Sequence, residues 1–166
     1  MYKRYPWRFY AIEANPKIID RIPHKPGIEI VNKAIAASDG YITFFLDEAD
    51  GLSTLIAKTT TTVEEIRVPS FDFGRWIKDN FRKEDYVIVS FDIQGAEYGV
   101  LDKMIKDRSI KYIDRFCIEF HPHLVKRTQR DDRRMIMSIE AAGVELFYDS
   151  VDSLAANNRW RDPPAD

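Results

Sequence analysis

A chain of 166 residues, 45% hydrophobic and 31% charged with a formal net charge of −2, has the make-up of one folded domain. A globule of that size buries about 70% of the surface its unfolded form exposes. The balanced charge excludes a disordered polyelectrolyte and gives no sign of a polyanion-binding protein.

Cys117 is the single cysteine, so an internal disulfide and a cysteine-rich zinc site are excluded. Its neighbours Phe116 and Ile118 predict a buried, inert thiol. No run of eighteen apolar residues occurs, and MYKRYPWRFYAIEANP has no apolar stretch of signal-peptide length. A soluble, cytoplasmic protein is expected.

Residues 9–12, FYAI, form an apolar run closed by Glu13 and the Asn15-Pro16 turn, which predicts a buried strand. A helix is expected from Lys17 to Ile22, ending before Pro23. A second strand fits IEIV at 28–31, and after the Ser38-Asp39-Gly40 turn a third fits YITFFL at 41–46. The stretch DEADGLSTLIAKTTTT reads as loop in its first half, with Thr59–Thr62 either β-prone or mobile. EIRVPSF at 65–71 predicts a strand in which Pro69 favours an edge or an end. Ser70 or Asp72 then caps a helix that carries Phe73, Trp76, Ile77 and Phe81 on one face.

YVIVSF at 86–91 is a continuous apolar run, of the kind buried on both faces of a parallel sheet. Val100, Leu101, Met104 and Ile105 recur at helical spacing. FCIEF at 116–120 supplies another strand before the polar turn His121-Pro122-His123. Met135, Ile136, Ile139 and Ala142 mark a helix ended by Gly143, and ELFY at 145–148 is a last strand. The tail from Ala155 to Asp166 is polar and expected to fray. The expected organisation is one domain over 1–154 and a tail over 155–166.

Strands alternating with helices imply an α/β fold with a mostly parallel sheet and helices on both faces. In such sheets ligands bind outside the carboxyl ends of the strands, and Glu13, Asp92, Glu119 and His121 all fall at or just past such ends. Glu13 suits the two hydroxyls of a ribose, or is a solvated acid beside a helix start. Asn32 either reaches an adenine edge or stabilises a turn. Asp92 ends an apolar strand, where an acid is kept for a proton, a metal or a ligand hydroxyl. Gly95 permits a positive φ or the close approach of a ligand. Glu97 falls in the first turn of the next helix, where it also interacts with the helix dipole.

Glu119, His121 and His123 alternate with period two, so an extended 119–123 would point all three the same way. That pattern admits a divalent ion, but loop imidazoles are more commonly hydrogen-bonded, and no site metal is expected. His121 titrates near neutrality and suits a general base. Two patterns are set aside. Residues 47–50 spell Asp-Glu-Ala-Asp, as in a helicase box, yet no glycine-rich phosphate loop ending in Gly-Lys occurs in the chain. KRTQRDDRR at 126–134 reads as a solvated helix start rather than an anion-binding patch.

The ordered pieces FYAIEANP, VNKAIAASDG with its following strand, GLSTL, RVPSFDF, FDIQGAEYGVL and IEFH resemble the FkbM-type family of S-adenosylmethionine-dependent methyltransferases over about residues 9–125. The resemblance implies a Rossmann-like class I methyltransferase sheet, S-adenosylmethionine as cofactor, and methylation of an oxygen on a hydroxyl-bearing small molecule or glycan. It implies that Glu13 holds the cofactor ribose, with Asn15 also at the cofactor and Asn32 and Ala34 near the adenine. Asp92, Glu97, Glu119 and His121 would line the acceptor side, with Asp92 or His121 removing the proton. Gln94 stands where the family usually has glutamate, and Ser90 where it often has lysine.

In that family a first strand and a glycine-rich turn precede the FYAIEANP segment. Here only MYKRYPWR does, and the chain contains no G-x-G. The expectation is an N-terminally truncated domain. Alternatively the Phe9–Ile12 and Val87–Phe91 strands close on each other, or another chain supplies the strand. Exposed inner edges would recruit partners, so a homo-oligomer is expected, with no membrane or nucleic-acid partner. Two other functions stand beside methyl transfer: a non-catalytic binding or assembly module, and a metal-dependent enzyme using Asp92, Glu119, His121 and His123.

Overall fold

The computed structural model describes residues 7–47, 53–54 and 62–147, and the chain divides into two compact α/β units, Met1–Asp72 and Phe73–Asp166. In the first unit, β1 (Phe9–Ile12) and β2 (Ile28–Val31) pair in parallel, Phe9 opposite Ile28 and Ile12 opposite Val31. Between them lies α1 (Pro16–Ile19), capped by Asn15, whose side-chain oxygen accepts the Lys17 N–H at 2.9 Å. Pro16 sits at the helix start, where its missing N–H has no helical partner to lose. The helix ends at Ile19 rather than the expected Ile22, and the chain goes on in tighter turns, Arg21 N–H to the Ile18 carbonyl and Ile22 N–H to the Ile19 carbonyl.

The rest of this unit is a four-stranded sheet in the order β3-β6-β4-β5, built from β3 (Ala34–Ala36), β4 (Gly40–Asp47), β5 (Ser53–Thr54) and β6 (Thr62–Asp72). β3 runs parallel to β6, while β4 is antiparallel to both β5 and β6. The expectation of parallel pairing fails here for a reason visible in the side chains. Ile42, Phe44 and Leu46 alternate inward to meet Ala34, Ile66 and Val68. Tyr41, Thr43, Glu65 and Arg67 alternate outward, with the Arg67 guanidinium 4.8 Å from the centre of the Tyr41 ring. One face packed and one wet is the pattern of antiparallel strands.

Pro69 lies opposite Tyr41 where β6 pairs with β4 on one side only, a local edge of the kind expected of it. The β3 ladder begins at Ser70, so at Pro69 one side of β6 is outside any described ladder, and a residue without an N–H is accommodated. Ser70 also belongs to β6, and Asp72 ends that strand.

The second unit carries the parallel sheet that the apolar runs predict, β7 (Ile88–Phe91), β8 (Arg115–Ile118) and β9 (Glu145–Phe147), in that order. With it go α2 (Phe73–Asn80), α3 (Glu97–Lys106) and α4 (Gln129–Ala141). Phe91 meets Phe73 and Phe116 edge-on, with ring centres 4.9 and 4.8 Å apart. Ile77, Leu101, Met104, Ile110 and Ile139 are buried in the same unit.

β7 is not buried on both faces, since Ser90 is exposed. Cys117, paired with Ser90 and alternating with Phe116 and Ile118, is partly exposed rather than buried. α4 starts within the basic stretch, at a capping box of Thr128 and Asp131, and Gly143 follows its last turn at φ 91°. Among the described residues no helix is long and apolar enough to cross a membrane. Glu48–Asp50, Thr59–Thr61, Tyr148 and the tail from Ala155 lie outside the described residues.

Candidate functional site

After Phe91 the chain must turn from β7 into α3 within residues 92–96, and it does so through two left-handed residues, Gln94 at φ 50° and Gly95 at φ 102°. Gly95 adopts this backbone freely, but at Gln94 it costs on the order of 1 kcal/mol or more and persists only if the surroundings enforce it. Glu97, fully buried as the first residue of α3, does the enforcing. Its carboxylate turns back to accept the Ile93 N–H at 3.1 Å and the Gly95 N–H at 3.0 Å. The same carboxylate lies 3.0 Å from His121 Nδ1. A buried carboxylate is tolerated when its oxygens are hydrogen-bonded, and here the Ile93 and Gly95 N–H groups meet that need.

His121 arrives from the neighbouring strand. Glu119 donates its N–H to the Phe91 carbonyl at 2.9 Å, extending the β7–β8 ladder, and His121 then leads into a 3-10 turn, Pro122–Leu124. The imidazole is only 8% exposed, whereas the Asp92 and Glu119 side chains are 55% and 49% exposed. His121 Nε2 faces Gln94 Nε2 at 3.2 Å, Asp92 Oδ1 at 3.7 Å and Glu119 Oε1 at 3.8 Å. Asp92, Glu119 and His121 are therefore brought together. Glu97 joins them from the interior rather than from an open acceptor side. The 3-10 turn ends the extended backbone, so the period-two reading does not carry on to His123, whose side chain lies outside the described residues.

The hydrogen bond to Glu97 raises the His121 pKa above its ordinary value; burial opposes the shift, and the charges of Asp92 and Glu119 reinforce it. Which ring nitrogen carries the proton in the neutral ring depends on the tautomer; the Gln94 amide that faces Nε2 also donates to Asp92 Oδ1 at 2.8 Å. Asp92, Glu119 and His121 each bring a possible metal-ligating atom to within 4.8 Å of the others. The Gln94 amide already donates to one of those three, Asp92, and faces His121 Nε2. Behind the cluster, the Tyr98 ring lies tilted at 39° to that of Phe120, its hydroxyl donates to Asp132, and Arg127 lies over its ring. Burial, then the Asp132 hydrogen bond, push the Tyr98 pKa well up.

In the first unit, Glu13 lies just past β1 and its N–H bonds to the Val31 carbonyl at 3.1 Å. Its carboxylate accepts the Asn15 N–H at 2.7 Å, and the Asn32 amide donates to the Glu13 carbonyl at 2.9 Å. Glu13 and Asn32 thus sit together at the carboxyl ends of β1 and β2, partly exposed and exposed respectively. A carboxylate can accept from the hydroxyls of a ribose, and an exposed amide beside it can bond a base edge. Asn15 is buried as the cap of α1, and Ala34 is buried in the apolar cluster of the four-stranded sheet.

The contact between Glu97 and His121 and the place of Gln94 are absent from the sequence reading. The one local signal was Gly95, which marks a left-handed turn without showing which side chain it folds inward. Comparison with known proteins gives a family model, the Methyltransferase FkbM domain, that matches residues 2–146. No curated protein and no solved structure matches the chain. With all but its two ends inside that family match, the chain belongs to the FkbM methyltransferases.

Proposed function

We propose that this methyltransferase uses S-adenosylmethionine to methylate a hydroxyl oxygen on a small-molecule or glycan acceptor, with residues 1–154 working as one methyltransferase-like domain. The observation that carries the reading is the His121 imidazole, held with Nε2 toward Asp92 and Glu119 just past the ends of β7 and β8. Two half-exposed carboxylates accept hydrogen bonds from hydroxyls, which favours a polyhydroxylated acceptor. The neutral form of that imidazole can take up the proton the acceptor must lose.

The cofactor supplies an electrophilic methyl group on a sulfonium. On this reading Glu13 takes the ribose hydroxyls and Asn32 the adenine edge, while Asn15 fixes the turn that presents Glu13 and Ala34 supports the wall beneath. Asp92 orients the acceptor hydroxyl, and His121 or Asp92 receives its proton. A lone thiol is in keeping with a cytoplasmic setting.

The test is calorimetric titration of S-adenosylhomocysteine into the full chain beside a Glu13→Ala variant. Micromolar binding that the variant loses supports the proposal. A folded wild-type chain that binds none overturns it and leaves a non-catalytic binding or assembly module.

A further inference from the structure

We infer that Glu97 is a positioning residue: its buried carboxylate holds neutral His121 in the Nδ1–H tautomer, so that the Nε2 lone pair is presented beside Asp92 and Glu119 to receive a proton. The use made of that lone pair rests on the methyl-transfer reading, but the geometry does not. Glu97 is fully buried and touches no acceptor. An ionised carboxylate only accepts hydrogen bonds, so the 3.0 Å contact with Nδ1 places the ring proton there. The tautomer of a histidine is set by the partner of its other nitrogen.

The carboxylate is itself held by the backbone. The Ile93 and Gly95 N–H groups that bind it belong to the turn that also presents Asp92. His121 and Asp92 therefore share one anchor although they come from different strands.

Gln94 marks the reacting position. Its amide nitrogen lies 3.2 Å from His121 Nε2 and 2.8 Å from Asp92 Oδ1, so one O–H of an acceptor can replace it against Nε2 and a neighbouring O–H can replace it against Asp92. Gln94 is only partly buried, so an acceptor can displace its amide. The displaced donor is then replaced by the acceptor O–H. Its proton passes to Nε2, and the electron pair left on oxygen forms the bond to the methyl group. The pair of the broken S–C bond stays on the donor sulfur. The resulting imidazolium is faced by Glu97 from α3, Asp92 from the turn after β7 and Glu119 from the end of β8.

The test is nitrogen-15 NMR of the ring nitrogens in the full chain labelled at its three histidines, with His121 identified by its loss in His121→Asn. The expected neutral ring carries its proton on Nδ1, and a ring with the proton on Nε2 overturns the inference. In Glu97→Gln the His121 titration midpoint should move to lower pH. Turnover should fall at least tenfold while S-adenosylhomocysteine binding stays at the wild-type level. A folded variant with wild-type titration and turnover overturns the inference as well. If Glu97→Gln does not fold, the wild-type spectrum decides alone. Failure of cofactor binding would sink the methyl-transfer reading while leaving the tautomer measurable, so the two failures are distinguishable.

Discussion

Truncating Glu97 to alanine should cost this protein a large share of its stability, and the structure allows the loss to be estimated. The carboxylate accepts from the Ile93 N–H, the Gly95 N–H and the His121 ring, all at 3.0–3.1 Å. A buried polar group left without a partner costs about 1–3 kcal/mol. Three such groups set an upper range that water entering the vacated space and relaxation of the turn will reduce. Release of the left-handed strain at Gln94 returns on the order of 1 kcal/mol. A net loss of about 3–5 kcal/mol is expected, against a typical domain stability of ~5–15 kcal/mol. Glu97→Gln keeps a carbonyl oxygen for one backbone N–H but sets an NH2 group against another donor, so its loss should be about 1–3 kcal/mol. The assay is urea unfolding of the full chain. At a slope of about 2 kcal/mol per molar, a 4 kcal/mol loss moves the midpoint by about 2 M. If Glu97→Ala unfolds within about 0.5 kcal/mol of wild type, the turn holds itself and the anchoring argument is wrong; ordinary surface substitutions fall in that range.

Asp92→Asn should slow methyl transfer by about 100-fold or more, the scale of one positioned acid–base group, while S-adenosylhomocysteine affinity is unchanged; undiminished turnover would remove Asp92 from the chemistry. At Gly74, a Cβ would stand 2.5 Å from Ser109 Oγ and 3.3 Å from Met104 Cγ. Gly74→Ala should therefore cost about 1–3 kcal/mol by overpacking, less ~0.5–1 kcal/mol gained in helix propensity. Ser109→Ala should remove most of that cost, and equal effects of Gly74→Ala in both backgrounds would refute the contact. For pH, the folded pKa of His121 lies above its ordinary value of 6.5. The stability it contributes is full below that value and is lost as pH rises through the folded pKa. His121→Asn should flatten that decline in urea midpoint, and an unchanged slope would contradict the assignment.

How much of this was legible beforehand depends on what each feature rests upon. β1, β2, β7 and β8 are short apolar runs stopped by acids or turn residues, so both the strands and the residues just past their ends could be read directly. The pairing of β4 with β6 could not be, because an apolar run such as YITFFL fits a buried parallel strand as well as one face of an antiparallel pair. β3 and β5, of three and two residues, are too short for a period to register. Glu97 looked like an acid favoured by its helix dipole, and its position in the first turn is indeed correct. Its burial follows instead from the left-handed Gln94–Gly95 turn and from a contact across 24 residues to His121.

That contact depends on strand register, and register explains why the corner is polar at all. Phe91 pairs with Ile118, so Asp92 and Glu119 emerge side by side, one residue past the ends of adjacent parallel strands. Like charges on neighbouring strands are unfavourable, and nothing in the packing of Phe91 or Ile118 requires them. What makes the placement tolerable is the half-exposure of both carboxylates to water and the donor that the Gln94 amide gives Asp92 at 2.8 Å. A corner whose two acids need a hydrogen-bond donor, beside an imidazole that can take its proton, is suited to a hydroxyl acceptor. It is less suited to a carboxylate or phosphate, which would add a third negative charge. The acceptor screen should therefore begin with neutral polyols and sugars. Faster turnover on anionic acceptors than on their neutral analogues would show that Asp92 and Glu119 do not face the bound acceptor.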